Sequence, residues 1–208
     1  MAASASAATA PASLRHKEDD VMGILSYTAV MSLDGYIADT DGDFQWATPS
    51  PEIFDAHLQR MSEVSTEIMG RKTYELMHFW DTYPDSDEAT PAEKVFGRLW
   101  QHIDKIVASS TLSPTDMVAD DELVPDLDVE RVQRIGQEAE GVVEIFGPTT
   151  AADAIRAGLI ERFEFFIVPI IIGGGLKALP EGVRLGVVLV EQRTFENGTV
   201  YLRYERTA

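Results

Sequence analysis

Apolar residues from Met22 onward fall into two alternating rhythms, short near-continuous runs and stretches with helical spacing. Gly23 to Val30 (Gly-Ile-Leu-Ser-Tyr-Thr-Ala-Val) reads as a buried first strand. A turn-rich loop follows from Ser32 to Ser50, with Asp-Gly at 34–35 and 41–42. Pro51 is a natural first helical residue, with Ser50 placed to cap it and Ile53, Phe54, His57, Leu58 and Met61 on one face. A short strand at 66–69 runs into a helix opened by Gly70, and a loop rich in Asp, Pro and Thr spans 81–91. Helical spacing returns at Ala92–Gln101, and Asp104–Ser109 is another short strand. Pro125–Glu140 is predicted helical, Val142–Phe146 a strand, and Thr149–Ala157 a helix closed by Gly158. Glu161–Ile172 is almost wholly apolar, which predicts a central strand. Val187–Phe195 and Thr199–Glu205 are separated by Glu196-Asn197-Gly198, a hairpin signal. The pattern predicts an α/β domain with a central mixed sheet, mostly parallel, finished by an antiparallel hairpin.

Composition narrows the class of partner. The 208 residues fit one domain over 22–208, preceded by an Ala/Ser-rich stretch over 1–21 that reads as a disordered tail. No apolar run is long enough to span a bilayer, and no secretory h-region follows a basic start. Seventeen basic against 35 acidic residues give a net charge of −18, which argues against nucleic acid and against anionic membranes. Cysteine is absent, so thiolate chemistry and cysteine metal sites are excluded, as suits a cytoplasmic protein.

Several chemistries have no matching motif. No Gly-x-Gly-x-x-Gly follows a strand, and Gly173-Gly174-Gly175-Leu176-Lys177 lacks the Walker spacing and its Ser/Thr. Asp39-Thr40-Asp41-Gly42-Asp43 resembles a calcium loop, but Phe44 and Ser50 stand where glycine and glutamate are needed, so no metal is expected. His57 lies on the apolar side of its helix and reads as a core residue. What remains is a set of glycine- and hydroxyl-bearing strand ends: Gly70-Arg71-Lys72-Thr73, Ser109-Ser110-Thr111 and Gly147-Pro148-Thr149-Thr150. A strand that ends in glycine and turns into a helix aims backbone N–H groups at one spot, where the helix dipole favours negative charge. Arg71 and Lys72 add two cations. If the three strands are parallel neighbours, their ends line one crevice suited to a phosphorylated nucleotide.

With Ser32-Leu33-Asp34-Gly35-Tyr36-Ile37-Ala38, Trp46, Ile68 to Glu75, Phe146 to Thr150 and Val168 to Gly175, the chain resembles the dihydrofolate reductase superfamily. The resemblance covers about Gly23 to Arg206. Its nearest branch is the C-terminal reductase domain of bifunctional riboflavin-biosynthesis proteins and its stand-alone relatives; the deaminase half is missing. The resemblance implies the three-layer α/β/α fold of that superfamily and NADPH as cofactor. It also implies hydride transfer to a C=N or C=O bond of a small pterin-, pyrimidine- or ribosylamine-like substrate. By family pattern, Gly70, Arg71, Lys72 and Thr73 hold cofactor phosphates, and Ser109, Ser110 and Thr111 flank the adenosine end. Gly147, Pro148, Thr149 and Thr150 wrap the pyrophosphate, and Val30 and Ile37 lie against the cofactor. Pro148 departs from the family's usual small residue and removes one N–H donor. Glu52 and Asp34 are the candidate proton donors, and Phe44 and Trp46 are candidates to cover a flat substrate. A true dihydrofolate reductase and a nucleotide-binding relative without turnover are the alternatives. Relatives of this kind commonly form homodimers, for which the final hairpin leaves room.

Overall fold

The computed structural model describes residues 23–118 and 120–207; the expected tail over 1–21 lies outside the described residues. Ten strands and six α-helices alternate along the chain. They are β1 (Ile24–Ser32), β2 (Tyr36–Ala38), α1 (Pro51–Met61), β3 (Val64–Gly70), α2 (Arg71–Met77), α3 (Phe79–Thr82), α4 (Pro91–His102) and β4 (Asp104–Ala108). After them come β5 (Glu122–Val124), α5 (Val129–Glu138), β6 (Val142–Phe146), α6 (Pro148–Arg156), β7 (Arg162–Val168), β8 (Leu176–Lys177), β9 (Val187–Thr194) and β10 (Val200–Arg206).

Eight strands form the main sheet in the order β5-β4-β3-β6-β1-β7-β10-β9. Its first six members run parallel, and β10 runs antiparallel between β7 and β9. Parallel strands need helical crossovers, and these cover both faces of the sheet to give three layers. On one face, Leu25, Tyr27, Ile68, Val143, Ile145 and Phe163 meet α5 and α6 through Val132, Ile135, Ala151 and Ile155. On the other, Met69, Val107 and Val142 meet α1, α2 and α4 through Met61, Tyr74, Phe96 and Trp100. Ile53 of α1 closes a third cluster with Phe166, Phe195 and Tyr201.

The α1 face also carries a buried polar row that crosses the sheet. Register places Lys105 beside Glu67, Glu67 beside Glu144, Glu144 beside Ser26, Thr28 beside Glu164, and Glu164 beside Arg203. Arg60 reaches down from α1 to Glu144 at 2.5 Å, and Glu164 accepts from Thr28 and Tyr201. Burial, with the Glu144 carboxylate alongside, raises Glu67 well above the usual carboxyl range. Burial works to raise Glu144 too, but Arg60 outweighs it and holds Glu144 below that range. The pair therefore shares one proton, and the cation faces the charged partner.

Local chemistry explains most element boundaries. The Ser50 side chain accepts from the Ile53 amide, with Pro51 at the first helical position, so α1 starts where the sequence predicts. The Glu196-Asn197-Gly198 turn joins β9 to β10. Three expectations are corrected. The helix predicted over Pro125–Glu140 begins at Val129, capped by Asp128, and is preceded by the short strand β5 beside β4. The strand predicted over Glu161–Ile172 ends at Val168 and lies between β1 and β10. The stretch read as a loop over Ser32–Ser50 contains β2, which pairs antiparallel with β8, a strand the sequence reading did not assign. Gly175 makes that pairing possible: with φ at +130°, a Cβ there would sit 2.0 Å from the Ala38 carbonyl oxygen.

Candidate active site

Because β4, β3 and β6 are parallel neighbours, the three hydroxyl- and glycine-bearing strand ends emerge side by side at one edge. The first turns of α2 and α6 converge there. A Cβ on Gly70 would lie 3.0 Å from Thr150 Oγ1, and one on Gly147 would lie 3.5 Å from Thr73 Oγ1. Gly147 has φ at +108°, a conformation that side chains resist, so the sharp turn into α6 depends on glycine. Among the other helices, Ser50, Thr90 and Asp128 side chains cap α1, α4 and α5, and the short α3 follows α2 directly through His78 without a side-chain cap. Neither Gly70 nor Gly147 supplies a side-chain cap, so α2 and α6 present their first amides to the crevice.

Ser109, Ser110, Thr149 and Thr150 also border a cavity of about 270 Å³ that reaches under Asp126 and Asp128. The Ser109 hydroxyl is partly committed, accepting from the amides of Thr111 and Leu112 at 3.2 and 3.1 Å. Arg71 and Lys72 are both exposed. Arg71 pairs with Glu75 at 3.2 Å, one turn on, whereas Lys72 has no ion-pair partner among the described residues. Pro148 takes the first position of α6, where its missing N–H costs no helical bond, and Thr149 and Thr150 follow with theirs intact.

The other end of the edge lies above β1 and β7. Here the loop after β1 is sewn to the loop after β7: Leu33 N–H donates to Ile170, Ala178 N–H to Gly35, and the Tyr27 hydroxyl to Ala178. Asp34 accepts from the amides of Gly173 at 2.7 Å and Ile172 at 3.2 Å. The Ser32 hydroxyl, then these amides, hold its carboxyl below the usual range, so Asp34 is an ionised acceptor. Glu52, in the first turn of α1, pairs with Arg193 at 2.9 Å and accepts from the Glu196 amide at 3.5 Å. Both candidate acids are thus engaged by the protein itself, and on different elements. Val30 packs half-buried beside Ile53 and Phe166, under the crevice. Ile37 is half-buried too and packs against the cluster that contains Tyr27 and Ala178. Phe44 is exposed, and Trp46 is half-buried with its indole N–H donating to Asp43.

His57 packs inward as its place on the apolar side of α1 predicts, with its ring centroid 4.2 Å from that of Phe166; burial, then Arg60, holds its imidazole down to about 3, so it is neutral at physiological pH. The Glu67–Glu144–Arg60 set appears only when strand register is known; the sequence signal is a lone glutamate inside each of two strands, β3 and β6.

Known proteins resemble this chain in sequence and in fold. YyaP of Bacillus subtilis (strain 168) is 27% identical over 177 residues, covering 84% of this chain and 90% of its own length. The solved deaminase/5-amino-6-(5-phosphoribosylamino)uracil reductase of Thermotoga maritima superposes with a TM-score of 0.62 at 16% identity. That match covers 89% of this chain and 57% of the Thermotoga chain, so the present chain spans little more than half of that bifunctional protein. Dihydrofolate reductase from Enterococcus faecalis, solved in complex with NADP(H) and RAB-propyl, superposes with a TM-score of 0.59 at 15% identity, over 90% and 98% of the two chains. The fold is therefore that of dihydrofolate reductase. The model of the RibD C-terminal domain matches residues 24–201, and the chain belongs to that reductase family.

Proposed function

We propose that this protein is an NADPH-dependent reductase that transfers hydride to a C=N or C=O bond of a small pterin-, pyrimidine- or ribosylamine-like substrate. One observation carries the cofactor assignment: the two helices that start at the crevice are the ones that begin with uncapped glycine, leaving their amides free for a phosphate. Gly70, Thr73, Gly147, Thr149 and Thr150 fit a pyrophosphate, since the glycines leave no side chain between it and the amides. Lys72 and Arg71 suit the 2′-phosphate, and Ser109, Ser110 and Thr111 the adenosine end. Bound NADPH supplies the hydride; the chain binds, orients and excludes water. Val30 is assigned to the reacting end, and Phe44 and Trp46 to covering a flat ring.

The engagement of both Glu52 and Asp34 favours one second reading, a nucleotide-binding relative without turnover. Following NADPH absorbance with dihydrofolate and with the riboflavin-pathway aminopyrimidine separates the cases. Oxidation of NADPH with either supports the reductase; tight NADPH binding with no acceptor reduced supports the second reading.

We also propose a cytoplasmic homodimer formed through β9. This edge strand exposes Val187, Val188, Leu189 and Val190 by 43–53% each, a run that native edges rarely leave open. An apolar cavity bordered by Phe163, Phe165, Leu185 and Tyr204 adjoins it at Val187. Light scattering on Val188→Lys tests this: a monomer is expected, and an unchanged dimer would place the interface elsewhere.

A further inference from the structure

We infer that Tyr74 is a positioning residue of the cofactor site, tying the helix that carries Arg71 and Lys72 to the segment that walls the adenosine end. The role presupposes the cofactor reading above and adds a buried residue to it. A helix of seven residues, such as α2, holds its place through tertiary packing and not through its own stability. Among the described residues, α2 has two side-chain hydrogen bonds to other parts of the chain, and both belong to the Tyr74 hydroxyl. It donates to Asp121 Oδ2 at 2.6 Å and accepts from the Val118 amide at 2.9 Å. The residue is 1% exposed, in the cluster that holds Met69, Trp100 and Val107. Burial, then the Asp121 contact, raises the hydroxyl above its ordinary range, which keeps it a donor.

The acceptor is itself held in place. Asp120, just before it, has φ at +80°, the one positive value outside glycine among the described residues. Such a conformation is uncommon for a residue with a side chain, and surrounding contacts must fix it. Those contacts converge on Asp121. Its amide donates to the Val118 carbonyl at 3.3 Å, and Lys105 Nζ lies 3.7 Å from its carboxylate, with both side chains under one-tenth exposed. Lys105 in turn sits over the Trp100 ring, 5.0 Å from its centroid.

From Asp121 the chain enters β5, which pairs with β4 from Ile106 and Glu122 onward. At the far end of β5 the Val124 carbonyl accepts from the Ser109 amide at 3.1 Å, and Pro125 to Asp128 wall the cavity bordered by Ser109 and Ser110. The Tyr74–Asp121 contact is thus a strut between the cation-bearing helix and the adenosine end. A dinucleotide with a 2′-phosphate must meet both at once, whereas one without it makes no use of Arg71 and Lys72. Loss of the strut should therefore cost NADPH more affinity than NADH. A tyrosine that only filled the core would act on the two cofactors alike.

Calorimetric titration of the full chain with NADPH and with NADH tests this in Tyr74→Phe, Asp121→Ala, their double variant and Asp121→Asn, with thermal unfolding alongside. Tyr74→Phe keeps the ring and removes the strut, and its preference for NADPH over NADH is expected to fall by about threefold or more, the lower range of coupling within one hydrogen-bond network. Asp121→Ala should lower the preference to a similar degree, and the double variant no further than either single one. Asp121→Asn keeps an acceptor for the hydroxyl and should retain most of the preference. An unchanged preference in Tyr74→Phe, an equal loss of affinity for both cofactors, or losses that add in the double variant would overturn the positioning role and leave the cofactor reading standing. A wild type that binds neither cofactor, or both equally, would overturn the cofactor reading and the role of Tyr74 with it.

Discussion

Replacing Glu67 with glutamine should remove a pH dependence of stability that the native protein carries above about pH 4.5. Glu67 is buried on β3 and faces Glu144 on β6, Arg60 from α1 and Lys105 on β4. Burial and the Glu144 carboxylate raise its folded-state pKa well above the unfolded value, despite the opposing pull of Arg60 and Lys105. The sign follows from linkage. Below about pH 4.5 both states hold the Glu67 proton; above it the unfolded chain releases the proton while the folded chain keeps it. Stability therefore falls as pH rises, by about 1.4 kcal/mol per unit, until the folded-state pKa is reached. Glu144 acts in the opposite sense. Its lowered pKa contributes stability above about pH 4.5 that is lost on acidification through its folded value, a window the substitution leaves in place. Glutamine keeps the shape of the protonated acid and its capacity to donate to Glu144. The variant should match wild type near pH 4.5 and exceed it by about 1.4 kcal/mol for each pH unit beyond, or roughly 3–5 °C in Tm per unit, up to the folded-state pKa of Glu67. Urea unfolding at half-unit steps from pH 5 to 8 measures the difference. Parallel stability curves for the two proteins would refute a neutral, proton-holding Glu67.

Other substitutions probe the edge of the sheet. Gly147→Ala forces a side chain into a positive-φ turn and should cost about 1–3 kcal/mol of stability, read by thermal unfolding, with a larger loss of NADPH affinity than of fold. Asp34→Ala leaves the Ile172 and Gly173 amides without their acceptor; hydrogen exchange at residues 170–175 should quicken, and about 1–3 kcal/mol of stability should be lost. Glu52→Gln weakens an exposed ion pair and should change stability by less than about 1 kcal/mol. Its effect on turnover is the informative reading: a slower rate at unchanged NADPH affinity assigns the proton to Glu52, and an unchanged rate assigns it to Asp34 or to water.

Much of this architecture is legible in the chain because local chemistry sets it. Ser50-Pro51 fixes the start of α1, Asn197-Gly198 the final hairpin, and Gly70 and Gly147 the two strand-to-helix turns. What escapes is non-local. β2 and β8 have three and two residues, too short for any periodicity, and exist through their pairing with each other. The start of α5 is misplaced because Pro125, Asp126 and Asp128 are all plausible first residues, and only the Asp128 contact to the Arg131 amide decides between them. Asp34 reads as a turn residue or an acid from sequence; its partners lie 138 and 139 residues away. The buried row from Lys105 to Arg203 likewise follows from a strand order that no single segment encodes.

The proposed activity requires that the uncapped helix starts and Lys72 hold NADPH. Calorimetric titration of the full chain and of Lys72→Ala with NADPH and with NADH measures this directly. The wild type should bind NADPH about tenfold or more tighter than NADH, since a charge-assisted phosphate contact is worth about 1.5–3 kcal/mol, and Lys72→Ala should lose most of that preference while binding NADH as before. Equal affinity of the wild type for the two cofactors, or binding of neither, would contradict it.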